Sequence, residues 1–218
     1  MEIDNEFIEK SEEYLKNAFN NSKYLMEHPS NKEYRLQHSY RVANIGKIIA
    51  EKEGFDVNKM VIACLLHDIS YIEEFKNEND WLNHGRNSAK IARQFLLSLG
   101  VVENCVNDIC YGIAIHVDDK ADFEGNRTSF AETIGDADNI DRFDAYRIYE
   151  TLQSNNFSQM TFEEKNNKIN ETLNKLNEYR KMQLSTQTAT EIWKDRIEFY
   201  ITFYKKLKDQ LCNSTSIR

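Results

Sequence analysis

The sequence predicts an all-α fold, a helical bundle with additional helices toward its C-terminal end. Three observations carry this. Punctuation is sparse: there are seven glycines and one proline in 218 residues, and sheets with tight turns need more. Apolar residues recur at three- and four-residue spacing, not alternately. Gly54 and Gly100 close two of these periodic stretches, and capping residues open others.

Taken in order, residues 5–27 set Phe7, Ile8, Tyr14, Leu15, Ala18 and Phe19 at helical spacing, and His28-Pro29 ends that helix or begins a turn. A second helix is expected over residues 33–53, striped by Leu36, Val42, Ile45, Ile48 and Ile49 and stopped by Gly54. Asp56 is the N-cap of a third, over residues 57–75. Residues 76–83 are polar and read as a loop. A fourth helix covers residues 85–99, with Ala89, Ile91, Ala92, Phe95 and Leu96 on one face and Gly100 closing it. A fifth spans residues 103–116, an acid-rich loop follows to Thr128, and a sixth spans residues 129–152. Beyond the polar residues 153–160, Thr161-Phe-Glu-Glu164 is a capping-box pattern. It opens a helix striped by Ile169, Leu173, Leu176 and Tyr179. The last helix carries Ile192, Trp193, Ile197, Tyr200, Ile201, Tyr204 and Leu207. Residues 1–152 are expected to form one helical domain. Residues 153–218 form a helical extension for packing or oligomerisation, and the stripe of Trp193, Tyr200 and Tyr204 offers a face for a homodimer.

About 40% of residues are hydrophobic and the formal net charge is −8. An acidic chain repels nucleic-acid backbones and anionic membranes, so neither is an expected partner. A small phosphate is different, because exposed charges more than about 8–10 Å away are screened. The four cysteines, Cys64, Cys105, Cys110 and Cys212, form no CxxC pair and read as reduced thiols of a cytoplasmic protein. The N-terminal stretch MEIDNEFIEKSEEY lacks the apolar region of a signal peptide. No run approaches the ~18 apolar residues that span a membrane.

The chemistry gathers around VIACLLHDISYIEE, residues 61–74, where an apolar run carries His67 and Asp68 toward the interior. Of five histidines, His38, His67, His84 and His116 fall in the helical body, and Asp138 lies between apolar Ile134 and Ile140. Each alone reads as a hydrogen-bonded core residue or a surface charge. Together they demand an explanation, because burying four imidazoles and two carboxylates separately costs several kcal/mol per unpaired group. A shared metal centre satisfies them at once, and imidazole and carboxylate suit iron, manganese, cobalt, nickel or zinc.

The ordered set His38 … His67-Asp68 … His84 … His116 … Asp138 resembles the HD-domain superfamily of metal-dependent phosphohydrolases, in its two-metal form. RLQHSYRVANIGKIIAEKEGFDVNKMVIACLLHDIS, HGRNSAKIARQFL, AIH and DADNID carry the resemblance, over about residues 33–145. Small bacterial nucleotide hydrolases, including symmetric diadenosine tetraphosphate hydrolases, have a similar layout. The resemblance implies that His38, His67, Asp68 and Asp138 hold one metal and that Asp68, His84 and His116 hold a second. The last ligand is thereby Asp138 and not Asp136. Successive helical residues diverge by ~100°, so the metals are expected against the side of the helix, with Asp68 bridging and His67 beside it at the catalytic centre. Two divalent ions are implied, iron or manganese first, with magnesium, cobalt, nickel and zinc as further candidates.

The implied reaction is hydrolysis of a nucleotide or another small phosphate ester by water that the metals activate. Arg35, three residues before His38, Arg86, close after His84, and Arg142, four after Asp138, are the candidate phosphate ligands. Many relatives carry a lysine three residues after the HD aspartate. This chain has Tyr71 there, which brings no charge. Two other functions use the same ligand types: an HD-fold di-iron oxygenase, and a non-catalytic regulatory HD domain.

Overall fold

The computed structural model describes residues 3–215. Among them every regular element is a helix. The chain divides into two compact units between Asn139 and Ile140. None of the described helices is long and apolar enough to cross a membrane.

The first unit holds α1 (Asn5–Asn21), α2 (Lys23–Glu27), α3 (Pro29–Glu53), α4 (Val57–Leu66), α5 (Glu78–Leu82), α6 (His84–Ser98), α7 (Glu103–Ile115) and most of α8 (Ser129–Asp141). Its centre is α4, buried without interruption from Met60 to Leu66 and packed against α1, α3 and α7. An apolar run on all sides of a helix has no other stable place. Asp56 caps α4, its carboxylate accepting from the Lys59 N–H at 3.0 Å, and Gly54 ends α3 with φ 73. Both agree with the sequence.

Five boundaries differ from those the periodicity suggests, one of them the helix expected over 57–75, which stops at Leu66. The N-terminal helix breaks at Ser22, whose hydroxyl accepts from the Leu25 N–H at 3.1 Å and donates to the Ile72 carbonyl at 2.5 Å. A helix does end at His28, the C-cap of α2, as expected, but no loop follows Pro29. Pro29 begins α3, where its missing N–H costs nothing. The expected loop at 76–83 contains α5, capped by Asn77, because a single capping side chain suffices for one turn. The long helix expected over 129–152 stops at Asp141 and resumes at Ala145, since Asp144 adopts φ 148.

The second unit contains α9 (Ala145–Ser154), α10 (Phe162–Tyr179) and α11 (Gln187–Asn213), with α10 packed on α11. The Thr161–Glu164 capping box opens α10 as expected. Phe143 meets the rings of Tyr179, Trp193 and Tyr200 edge-on at 5.0–5.9 Å, and the Trp193 indole N–H donates to the Tyr179 carbonyl at 2.8 Å. Trp193, Tyr200 and Tyr204 are therefore buried in the single chain, not presented as the face for a second copy.

Candidate metal centre

The apolar run of α4 ends at Leu66, and this end makes the site. His67 closes the helix, Asp68 leaves it with φ −107 and ψ 15, and a 3-10 helix follows over Ile69–Ile72. The pair therefore does not lie along a helix side, as the sequence suggested. The chain turns at that point and both side chains point out of the turn. Three other elements deliver their residues from their ends: His84 opens α6, His116 follows the last residue of α7, and Asp138 lies in the last turn of α8. His38 comes from the body of α3.

The same local device orients three of the imidazoles. A helix leaves its last carbonyls without intrahelical partners. The Nδ1 of His67 bonds the Cys64 carbonyl at 2.7 Å, that of His84 the Trp81 carbonyl at 2.5 Å, and that of His116 the Ile113 carbonyl at 2.7 Å. Since a carbonyl only accepts, each ring must carry its proton on Nδ1. Each Nε2 then presents a lone pair to the centre of the cluster, the arrangement that holds a metal-binding histidine in one tautomer.

These nitrogens surround Asp68. Its Oδ1 lies 3.2 Å from the His84 Nε2 and 3.6 Å from the His116 Nε2. Its Oδ2 lies 3.5 Å from the His38 Nε2 and 3.6 Å from the His67 Nε2. Asp138 Oδ1 stands 3.1 Å from the His38 Nε2 and 3.9 Å from that of His67. The six side chains thus fall into two groups, one for each oxygen of Asp68. Donor atoms of His38, His67 and Asp138 lie within 4.8 Å of one another, as do those of His67, Asp68 and His116.

Close approach of α6 to α7 sets the second group, and Gly85 permits it. A Cβ at Gly85 would stand 2.8 Å from the Ala114 carbonyl oxygen. At Gly112 a Cβ would stand 3.1 Å from the Ala131 backbone, which lets α7 and α8 meet. Sequence reasoning missed both. The signal was present in a glycine directly after His84, at a helix start that had no turn to explain it.

Two contacts are unfavourable for the protein alone. The Nε2 atoms of His84 and His116 face each other at 3.2 Å, although each ring already carries its hydrogen on Nδ1. The Nε2 of His67 is wholly buried with no hydrogen-bond partner, and an unsatisfied buried group costs about 1–3 kcal/mol. A cation between these atoms removes both conflicts, so the donor set fits a metal centre.

The electrostatics agree. Burial lowers the pKa of His67 to about 4 despite the nearby Asp68, which keeps its ring neutral. Burial would raise the Asp68 carboxyl, but the facing imidazoles of His67, His116, His38 and His84 outweigh it and hold it well below its usual range. Asp138 is lowered against the same burial by its bond to His38 and the field of His67. His116 goes the other way: burial lowers it, but its contact with Asp68 prevails and raises it.

The three arginines separate. Arg35 donates Nη1 to Asp68 Oδ2 at 2.9 Å. Arg86 is buried and engaged elsewhere, with Asp118 at 2.6 Å, Asn83 at 2.6 and 2.9 Å, and the Leu82 carbonyl at 3.2 Å. It ties the start of α6 to the loop after His116. Arg142 lies beyond the end of α8, exposed, in the second unit.

Comparison with known proteins adds two findings. A family model described as the HD domain matches residues 35–143. A crystal structure described as a predicted HD superfamily hydrolase, from an uncultured Thermotogales bacterium, is similar with a TM-score of 0.63 and 22% identity, over 93% of this chain and 91% of that one. No curated protein matches the chain.

Proposed function

The chain belongs to the HD-domain family, and on that premise we propose that it is a metal-dependent phosphohydrolase acting on a nucleotide or another small phosphate ester. The similar crystal structure is described as a predicted hydrolase of the HD superfamily. The observation that carries the reading is the buried, partnerless Nε2 of His67 within a ring of Nε2 atoms around one two-oxygen carboxylate.

In this reading His38, His67, Asp68 and Asp138 would hold one ion, and Asp68, His84 and His116 would hold a second. Divalent iron or manganese suits the mixed nitrogen and oxygen donors. A bound pair supplies a nucleophilic water at neutral pH and positive charge for the phosphoryl oxygens. The chain itself fixes the tautomers of His67, His84 and His116 and keeps His67 neutral. Arg35 adds a permanent charge beside Asp68 to orient the phosphate. Cys64 and Cys110 are unsuited as nucleophiles, because burial pushes Cys64 upward and Cys110 up to about 12, away from the reactive thiolate.

The test is elemental analysis of protein purified from cells grown with iron or manganese, then phosphate release over nucleotides, diadenosine tetraphosphate and simple phosphate esters. Two metal equivalents with metal-dependent phosphate release are expected. Oxygen consumption without phosphate release would replace this reading with an oxygenase, and bound metal with no turnover at all would replace it with a regulatory domain.

A further inference from the structure

We propose that Tyr71 is a positioning residue whose ring seats the guanidinium of Arg35 at the metal centre, so that Arg35 meets an incoming phosphate already oriented. This deepens the phosphohydrolase reading and rests on it. The guanidinium carbon of Arg35 lies 3.3 Å from the centroid of the Tyr71 ring, well inside the ~6 Å reach of a cation–π contact. The ring of Tyr34 lies on the cation as well, at 5.4 Å. The Arg35 bond to Asp68 uses one of its five N–H groups, and 25% of the side chain remains exposed.

The seat is itself braced. Tyr71 stands in the 3-10 helix that follows Asp68, and its N–H donates to the Asp68 carbonyl at 3.1 Å. Its ring packs at 4.4 Å from that of Phe75 and at 5.2 Å from that of His84. The backbone turn that delivers Asp68 to the cluster therefore also sets the platform under Arg35. An arginine loses rotamer freedom when it binds a phosphate, and a cation already stacked has lost much of it beforehand. The ring face does this, and the Tyr71 hydroxyl, which also bonds the Arg35 side chain, is the lesser contact.

The experiment compares Tyr71→Leu, Tyr71→Phe, Arg35→Ala and the Tyr71→Leu/Arg35→Ala double variant in metal-loaded protein. Metal content is measured by elemental analysis and affinity for inorganic phosphate by calorimetry. KM and kcat for a phosphate ester are read in parallel. Tyr71→Leu and Arg35→Ala are each expected to weaken phosphate binding roughly tenfold or more. The double variant should be no weaker than Arg35→Ala, Tyr71→Phe should stay within about twofold of the native protein, and metal content should be unchanged. The losses should appear in KM more than in kcat. Additive losses, a Tyr71→Phe protein as weak as Tyr71→Leu, or metal lost from Tyr71→Leu would each overturn the assignment. Phosphate affinity is read without turnover, so a protein that hydrolyses no ester would sink the function and still leave the seat of Arg35 testable.

Discussion

The two units of this chain solve the problem of an interior in opposite ways. The second closes itself with aromatic rings: Phe143 against Tyr179, Trp193 and Tyr200, with the indole N–H satisfied by a carbonyl. The first buries His38, His67, Asp68, His84 and Asp138 at its centre and leaves a ring nitrogen there without a partner. One interior is complete as protein alone. The other is complete only with something positive inside it. Stability and function therefore have different addresses, and substitutions in the two regions should fail differently.

The largest effect belongs to Asp68→Ala. Both halves of the cluster lose their shared oxygen donor, so bound metal should fall to background and hydrolysis by at least about a thousandfold. Circular dichroism should show the helices intact. Retention of both metal and activity would erase the contrast between the units.

Gly85→Ala sharpens the contrast within the first unit. The new Cβ would press on the Ala114 carbonyl and part His84 from His116. One metal equivalent of two should be lost, as in His84→Ala or His116→Ala, while the site of His38, His67 and Asp138 stays loaded. Elemental analysis decides, and full occupancy would mean that α6 and α7 yield without disturbing their histidines.

How far these contrasts could be read in the residues differs between them. The aromatic stripe of α11 and the capping box of α10 were plain, because periodicity and caps are local. The four body histidines and Asp138 were also plain as a set. Their convergence was not, because it depends on helix ends. Ile69 continues the apolar pattern after His67-Asp68, so nothing in the sequence announced that α4 stops at Leu66. The three Nδ1 bonds to carbonyls were hidden for the same reason. Arg142 shows the converse: spacing put it on the face of Asp138, but α8 ends one residue before it. Arg86 kept its place beside His84, yet only coordinates could show its donors turned toward Asp118, Asn83 and Leu82.

The second unit has its own expected failure. Trp193→Ala should cost about 3–5 kcal/mol, the usual loss for truncating a buried tryptophan, because it empties the space beside Phe143 and Tyr179 and leaves the Tyr179 carbonyl only the Met182 N–H as donor. Denaturant unfolding measures it. Metal bound per folded molecule should not change, since no candidate metal ligand lies in that unit. A variant that loses metal before it loses stability would show that the two interiors are coupled.

The smallest effect is one of pH on the metal-free protein, and its sign separates the histidines. His67 has a folded pKa lowered from 6.5 to about 4. Between those values the unfolded chain takes up a proton that the folded chain refuses, so stability falls as pH falls through that window. A shift of this size corresponds to about 3 kcal/mol. His116 is raised above 6.5. Its contribution is complete below that value and is lost only as pH rises through the raised one. Asp68 and Asp138 are lowered, so their contributions are present above 3.8 and are lost below it. Among the shifted groups of the cluster, the window from 4 to 6.5 thus belongs to His67. Unfolding free energy of the metal-free protein should slope downward toward acid there, and His67→Gln should flatten the slope. An unchanged slope in that variant would place the conflict somewhere other than the orphaned nitrogen of His67.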